Sequence, residues 1–254
     1  MITEAIILAG GFGTRLQSVV SDLPKPMAPV NGIPFLDYQL LYLKNFGIKK
    51  VILSVGHLHE KIISHYKNNF NGVEIDYAIE TSPLGTGGGI RIALEKCKSN
   101  SVLVLNGDSF FDVDLTSFFN LHTKANADCS LALRKVENAS RYGTVHFSSV
   151  APSFDTLNKS DDAPIGMSRI NSFQEKNSEP KPGLINGGVY LLNKDTYLQA
   201  TETNKNFSIE KDFFEKKIDE LNIFGFEYKG YFIDIGIPED YTKAQDDFKG
   251  FKYK

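Results

Sequence analysis

Arg15 and Lys25 are the two cations whose neighbours best equip them to meet an anion. Residues 8–16 read Leu-Ala-Gly-Gly-Phe-Gly-Thr-Arg-Leu at the end of the apolar run Ala5-Ile6-Ile7-Leu8, so a buried strand runs into a glycine-rich turn that ends on an arginine. Glycine lets backbone amides approach an anion with no Cβ in the way, and successive N–H groups form a concave nest that a guanidinium closes with charge-assisted hydrogen bonds. Leu8, Ala9, Gly10, Gly11, Gly13, Thr14 and Arg15 are therefore a candidate phosphate grip; the glycines alone suit a tight structural turn equally well. Two familiar phosphate loops do not fit. A Walker loop needs Lys-Ser or Lys-Thr where Thr14-Arg15 follows Gly13, and a dinucleotide fingerprint begun at Gly11 needs glycine where Leu16 stands. Further on, Leu23-Pro24-Lys25-Pro26-Met27 sets a lysine between prolines that fix φ on either side, and Pro26 pushes Lys25 towards an extended backbone.

Carboxylates form the second chemical set. Asp108 follows the apolar run Val102-Leu103-Val104-Leu105 in the turn Asn106-Gly107-Asp108, which places it at the end of a strand. Asp234 lies within Tyr231-Phe232-Ile233-Asp234-Ile235-Gly236, where a buried carboxylate needs a cation or hydrogen bonds to compensate it. One such aspartate is more often structural, whereas a pair of them supplies hard oxygen donors of the kind magnesium takes. Asp112-Val113-Asp114 is a rival pair of the Asp-x-Asp type that glycosyltransferases use, but Asp114 also reads as the N-cap of a helix over 115–122.

The elements that must position these groups follow from periodicity. Strands are expected over 5–8, 50–55, 74–79 and 101–105, alternating with amphipathic helices over 35–46, 60–68 and 88–97. That is the pattern of βαβ units and a largely parallel sheet, whose ligands bind beyond the carboxyl ends of the strands. Beyond residue 129 the strands (130–134, 143–147, 167–175 and 187–192) have fewer helices between them, as in an antiparallel or mixed extension, with helices over 209–218 and 238–248 at the end. Residues 148–164 read as a loop or flap. A length of 254 residues with 41% apolar content fills a sizeable core, and a net charge of −3 with no basic stripe argues against nucleic acid as a partner. Cys97 and Cys129 lack metal-like spacing and read as buried thiols. No apolar run is long enough for a membrane span and no secretory leader is evident, so a cytoplasmic protein is expected, with self-association compatible but not required.

The strand, the Gly-Gly-Phe-Gly-Thr-Arg-Leu turn and the Pro-Lys-Pro segment together resemble the signature of the sugar-phosphate nucleotidyltransferases, and the likeness spans nearly the whole chain. It implies an α/β, Rossmann-like nucleotidyltransferase fold: a mixed, mostly parallel central sheet flanked by helices, with a smaller β-rich sugar-binding part. The whole of 1–254 would be one domain, about 1–135 for the nucleotide and about 136–254 for the sugar phosphate. It further implies Mg²⁺ held by Asp108 and Asp234, since Leu-Asn-Gly-Asp and Asp-Ile-Gly-Ile-Pro-Glu-Asp-Tyr look like the family's metal segments, and it makes Arg15, Lys25 and Asp108 the catalytic residues. The Leu84-Gly85-Thr86-Gly87-Gly88 segment would lie against the nucleoside, bringing Gly85 and Thr86 to it. Glu80 just ahead offers two acceptors to the adjacent N1–H and N2–H donors of guanine, which favours GTP. Phe173-Gln174-Glu175-Lys176 resembles the element in which the lysine meets the sugar phosphate and the glutamate the sugar, although Asn177 departs from the proline usual there. Gly143, Asn186 and Gly187 match sugar-site segments. Overall likeness, including the run 33–38 and the segment 232–241, points to GTP as donor and D-glycero-α-D-manno-heptose 1-phosphate as acceptor, giving GDP-heptose for surface polysaccharide. Mannose 1-phosphate with GTP, glucose 1-phosphate with CTP and N-acetylmuramate 1-phosphate with UTP are the alternatives; a metal-dependent glycosyltransferase and a silent nucleotide sensor are the readings from other classes.

Overall fold

The protein is described by a computed structural model covering residues 2–11, 16, 19–20, 22–147, 164–174 and 180–253. In chain order, β1 (Glu4–Ala9) leads to a 3-10 turn (Lys25–Met27), the hairpin β2 (Pro29–Val30) and β3 (Ile33–Pro34), and α1 (Phe35–Asn45). β4 (Lys50–Val55), α2 (His59–Tyr66), β5 (Asn69–Phe70), β6 (Val73–Ile79), α3 (Gly85–Leu94) and β7 (Ser101–Asn106) follow. The chain continues with β8 (Ser109–Phe111), α4 (Leu115–Lys124), β9 (Cys129–Val136), β10 (Thr144–Phe147), β11 (Gly166–Gln174), β12 (Gly183–Asn193) and α5 (Lys194–Ala200). A π-helical turn (Ile209–Phe214), α6 (Glu215–Lys217), β13 (Ile223–Tyr228), β14 (Phe232–Asp234) and α7 (Pro238–Asp247) complete it.

Among the described residues, ten strands form one sheet in the order β10-β11-β13-β9-β12-β7-β1-β4-β6-β5. Within it β7, β1, β4 and β6 are parallel neighbours, so their carboxyl ends lie side by side. From β12 outward the pairing is antiparallel except between β13 and β9. The α/β class and mixed sheet are as expected, with parallel pairing confined to the run β7-β1-β4-β6 and to β13–β9 and the other neighbours antiparallel. Strands covered on both faces carry apolar residues at every position. Ala5, Ile7, Leu53 and Leu105 enter one core with α1, α2, α4 and α7, while Ile6, Ile52 and Val104 enter a second with α3, α5 and the π-turn. Among the described residues no helix is long and apolar enough to cross a membrane. Cys97 and Cys129 are buried thiols, and burial pushes Cys97 up to about 12.

Two local expectations need correction. Lys25 is not extended: it opens the 3-10 turn, closed by Met27 N–H to Pro24 O (2.8 Å) and Ala28 N–H to Lys25 O (3.0 Å). Pro26 fits there because the first turn of a helix asks nothing of its missing N–H, and Pro24 takes the extended conformation instead (φ −61°, ψ 144°). β13 had no expected counterpart, since Gly225 interrupts its short apolar pattern. A Cβ at that glycine would lie 2.4 Å from the Leu133 side chain, so packing against β9 excludes a larger residue.

Asp114 caps α4 as expected, accepting from Thr116 N–H (2.9 Å) and Ser117 N–H (3.0 Å). Farther along that helix, buried His122 meets Ser130 Oγ at 2.8 Å, and burial pushes the imidazole down to about 4. Between the unfolded value of ~6.5 and that value, the unfolded chain takes up a proton that the folded chain refuses, so this contribution to stability is intact above ~6.5 and is lost as pH falls towards 4. Denaturant melts at neutral and mildly acidic pH should show His122→Gln losing less stability on acidification than the wild type, by up to about 3 kcal/mol. Equal losses in the two proteins would show that His122 carries no such linkage.

Candidate functional site: two cavities joined at Lys25 and Asp108

Gly10, Gly56 and Glu80, which directly follow β1, β4 and β6, and Asn106, which ends β7, all line a cavity of about 960 Å³. This follows from the topology, because side-by-side carboxyl ends leave a crevice beyond the sheet. Leu8, Ala9, Gly11, Lys25, Gly85, Thr86 and Asp108 line it too. Of the residues expected to bind nucleotide, Gly13, Thr14 and Arg15 lie outside the described residues; every other one is at this cavity.

Glycines shape it where strands and loops approach closely. Gly107 donates its N–H to Leu8 O at 2.9 Å, and a Cβ on it would come within 2.4 Å of that oxygen, so the Asp108 turn docks on β1 only through glycine. Gly85 has φ +69°, a conformation that side chains resist, and its Cβ position lies 2.5 Å from Phe207 O. Glu80 is held from within: Oε2 accepts Leu84 N–H at 3.0 Å and Oε1 takes the Ser54 hydroxyl at 3.4 Å. Burial raises its carboxyl above the usual range, with those two donors opposing. Thr86 Oγ1 accepts Ile209 N–H at 3.0 Å, tying α3 to the π-turn.

A second cavity of about 640 Å³ lies alongside, lined by Gly143, Asn186, Gly187 and Asp234 among others. Lys25, Asn106 and Asp108 line both cavities, so these three residues stand where the contents of one meet the contents of the other. Glu175 and Lys176 lie outside the described residues.

At the junction Lys25 Nζ donates to Asp108 Oδ2 at 2.7 Å. The ribbon of β8 and β14 sets Asp234 opposite Ser109, and Ile235 N–H donates to Asp108 O at 2.9 Å, so Asp234 at the end of β14 stands beside Asp108 in the turn that leads into β8. Burial raises the Asp234 carboxyl, and the negative charge of Asp108 raises it further; the Gly236 N–H, Lys25 and Arg141 pull the other way. Two carboxylates that repel each other at the wall of one cavity are a donor set suited to a hard divalent cation, with phosphate oxygens and water completing the shell. Among the described residues no third histidine, cysteine or carboxylate completes a cage around them. The rival pair is otherwise engaged: Asp114 caps α4, and buried Asp112 accepts from Tyr253 Oη (2.5 Å) and Lys252 Nζ (2.8 Å).

The structure adds residues the sequence reading left out. Buried Gln39 on α1 donates through Nε2 to both Asn106 O (2.7 Å) and Ser109 O (2.8 Å), stapling the Asp108 turn from below. Arg141, two positions before Gly143, bonds Asp240 at 2.5 Å and lies 3.9 Å from Asp234. Gly56 and His57 follow the apolar run 50–55, so the rule that located Asp108 would have found them; Ile79, 44% exposed, offers an apolar surface in the larger cavity. Ser208, Glu210 and Lys211 reach the smaller cavity from the π-turn, where no local pattern pointed to a site.

The profile of the nucleotidyl transferase family matches residues 4–249. A D-glycero-alpha-D-manno-heptose 1-phosphate guanylyltransferase of Aneurinibacillus thermoaerophilus is 44% identical over 248 residues, 98% of this chain and 99% of that protein. One of the same description from Campylobacter jejuni is 44% identical over 94% of this chain and 96% of its own length. The solved structure of HddC from Yersinia pseudotuberculosis complexed with GMP-PN superposes with a TM-score of 0.79 at 35% identity, covering 98% of this chain and all of that one. This chain belongs to the nucleotidyl transferase family.

Proposed function

We propose that the protein transfers a guanylyl group from GTP to D-glycero-α-D-manno-heptose 1-phosphate, giving GDP-heptose and pyrophosphate, in the cytoplasm and for surface polysaccharide. The observation that carries this reading is the pair of cavities meeting at Lys25 and Asp108: a reaction between two phosphorylated substrates needs two adjoining sites with cationic and metal-binding groups between them. The heptose and guanine assignments are supported by relatives of that description at 44% identity over nearly full length.

In the proposed reaction an oxygen of the sugar 1-phosphate attacks the α-phosphorus of GTP in line. One P–O bond forms, the bond to the bridging oxygen breaks, and that oxygen leaves with pyrophosphate. The nucleophile is already an anion, so no general base is needed, and the barrier is mainly the repulsion between two polyanions. Lys25 meets the α-phosphate, Arg15 the departing pyrophosphate and Lys176 the sugar phosphate, while Glu175, Gly143, Asn186 and Gly187 surround the sugar. Asp108 and Asp234 would hold Mg²⁺, which when bound neutralises charge on the α-phosphate and the incoming phosphate. We assign all of this to one domain, about 1–135 serving the nucleotide and about 136–254 the sugar phosphate.

Glu80 is assigned to the guanine edge, and Leu84 and Ser54 already fix its carboxylate. The test is pyrophosphate release across four nucleoside triphosphates and several sugar 1-phosphates with magnesium. GTP with the heptose 1-phosphate should win. Glu80→Gln should reduce the preference for GTP over UTP by about 10- to 100-fold, the range expected for a bidentate pair reading one base edge. A wild-type preference for UTP or CTP would refute the guanine assignment. Consumption of a finished nucleotide sugar, with no pyrophosphate formed, would favour a glycosyltransferase instead.

A further inference from the structure

We infer that Glu210 reads the hydroxyl-bearing part of the sugar, as a specificity residue beyond those assigned above; the inference rests on the smaller cavity being the sugar 1-phosphate site. Glu210 lines that cavity from the π-helical turn. Its carboxylate is aimed by partners on two sides: Ser208 Oγ donates to Oε2 at 3.0 Å, and the Tyr190 hydroxyl donates to Oε1 at 3.4 Å. Tyr190 is fully buried, and its oxygen accepts from Asn186 Nδ2 at 2.7 Å; Asn186 Oδ1 in turn accepts Gly188 N–H at 2.9 Å. Asn186, Tyr190, Glu210 and Ser208 thus form one hydrogen-bonded chain along the cavity wall.

That chain leaves ligand-binding capacity in a definite pattern. A carboxylate oxygen that accepts one hydrogen bond retains room for another, and the Asn186 amide has a second N–H to give. Glu210 would repel a phosphate, whereas Lys25 and Arg141 in the same cavity attract one, as would the divalent cation assigned to the Asp108–Asp234 pair; Lys211 also lines this cavity. Sugar hydroxyls have the opposite preference: they donate to a carboxylate through charge-assisted bonds, and adjacent hydroxyls can occupy both of its oxygens. The phosphate end therefore belongs at the junction with the nucleotide cavity and the hydroxyls at the π-turn. That wall is braced by the nucleotide loop, since Ile209 N–H bonds Thr86 Oγ1 at 3.0 Å and Gly87 N–H bonds Phe207 O at 2.9 Å. Single π-turns inside proteins are uncommon and concentrate at functional sites.

The test compares wild type, Glu210→Gln and Glu210→Asp in steady-state kinetics with GTP, magnesium and the sugar 1-phosphate that wild type uses best, together with an analogue of it lacking one hydroxyl. Glu210→Gln should raise the KM for the sugar 1-phosphate roughly 10- to 100-fold, leave the KM for GTP unchanged, and narrow the discrimination against the deoxy analogue. Glu210→Asp, which keeps the charge but withdraws it, should fall between. Active wild type with both variants unaltered in sugar KM and in discrimination overturns this inference alone. Wild type that releases no pyrophosphate with any sugar 1-phosphate overturns the proposed function and this inference together. If the melting curve shows Glu210→Gln unfolded, Glu210→Asp decides by the same comparison.

Discussion

Asp108→Asn should lower kcat/KM by on the order of a thousand-fold, while the protein keeps its melting temperature. The substitution keeps the shape of the side chain, and the turn that carries it is held by backbone contacts that asparagine leaves in place: Gly107 N–H on Leu8 O and Asp108 O beneath Ile235 N–H. What it removes is a negative charge at the junction of both cavities. A divalent cation would lose one of two carboxylate donors, so the magnesium concentration giving half-maximal rate should rise in the same variant. The Lys25 ammonium, now bonded to Asp108 at 2.7 Å, would lose its anionic partner as well. A variant with wild-type kinetics and an unchanged magnesium requirement would remove Asp108 from the metal site.

Lys25→Ala should cost at least about two orders of magnitude in kcat, by analogy with deleting one preorganised donor from a site where charge develops. Three features make Lys25 more than a surface cation. The 3-10 turn between Pro24 and Pro26 holds its backbone. Its ammonium is bonded to Asp108 and lies close to the second aspartate too, since a Cβ on Gly236 would be 3.1 Å from Lys25 Nζ and 2.7 Å from Asp234 Oδ1. Its side chain is only 15% exposed, so little water screens it. Lys25→Arg should rescue poorly, because a planar fork does not reproduce a compact ammonium in that space. Near-normal turnover of a folded Lys25→Ala protein would refute the role.

Much of this site was legible because its residues are marked by their immediate neighbours. Asp108 directly follows a buried strand, and parallel topology alone carries such a residue to the ligand edge. Lys25 was visible through its flanking prolines, although the backbone they produce is a 3-10 turn rather than an extended segment. Asp234 stood out as a carboxylate in an apolar run, and the structure pairs that run with β8 beside Asp108. Strands β4 and β7 could be read almost to the residue, since strands buried on both faces carry a continuous apolar run, Val51-Ile52-Leu53 and Val102-Leu103-Val104-Leu105 here.

The rest depends on contacts between segments far apart in the chain. Glu210 reaches the smaller cavity because residues 206–209 bond to the loop at 83–87, and nothing near residue 210 announces that. Arg141 acquires its setting from Asp234 and Asp240, almost a hundred positions away. Gln39 reads as an ordinary polar position on an amphipathic helix, yet it is wholly buried and holds the Asp108 turn by two carbonyls. β13 was hidden by a glycine that its neighbours Leu133 and Phe147 explain, both within 3 Å of where a Cβ would stand.

The most direct measurement is a crystal structure of the protein with magnesium, a non-hydrolysable GTP analogue and the heptose 1-phosphate bound together. Guanine should lie against Glu80 in the larger cavity and the sugar in the smaller one, with the α-phosphate and sugar phosphate facing each other between Lys25 and Asp108. A triphosphate seated away from Lys25 and Asp108, or a sugar phosphate outside the smaller cavity, would contradict this arrangement.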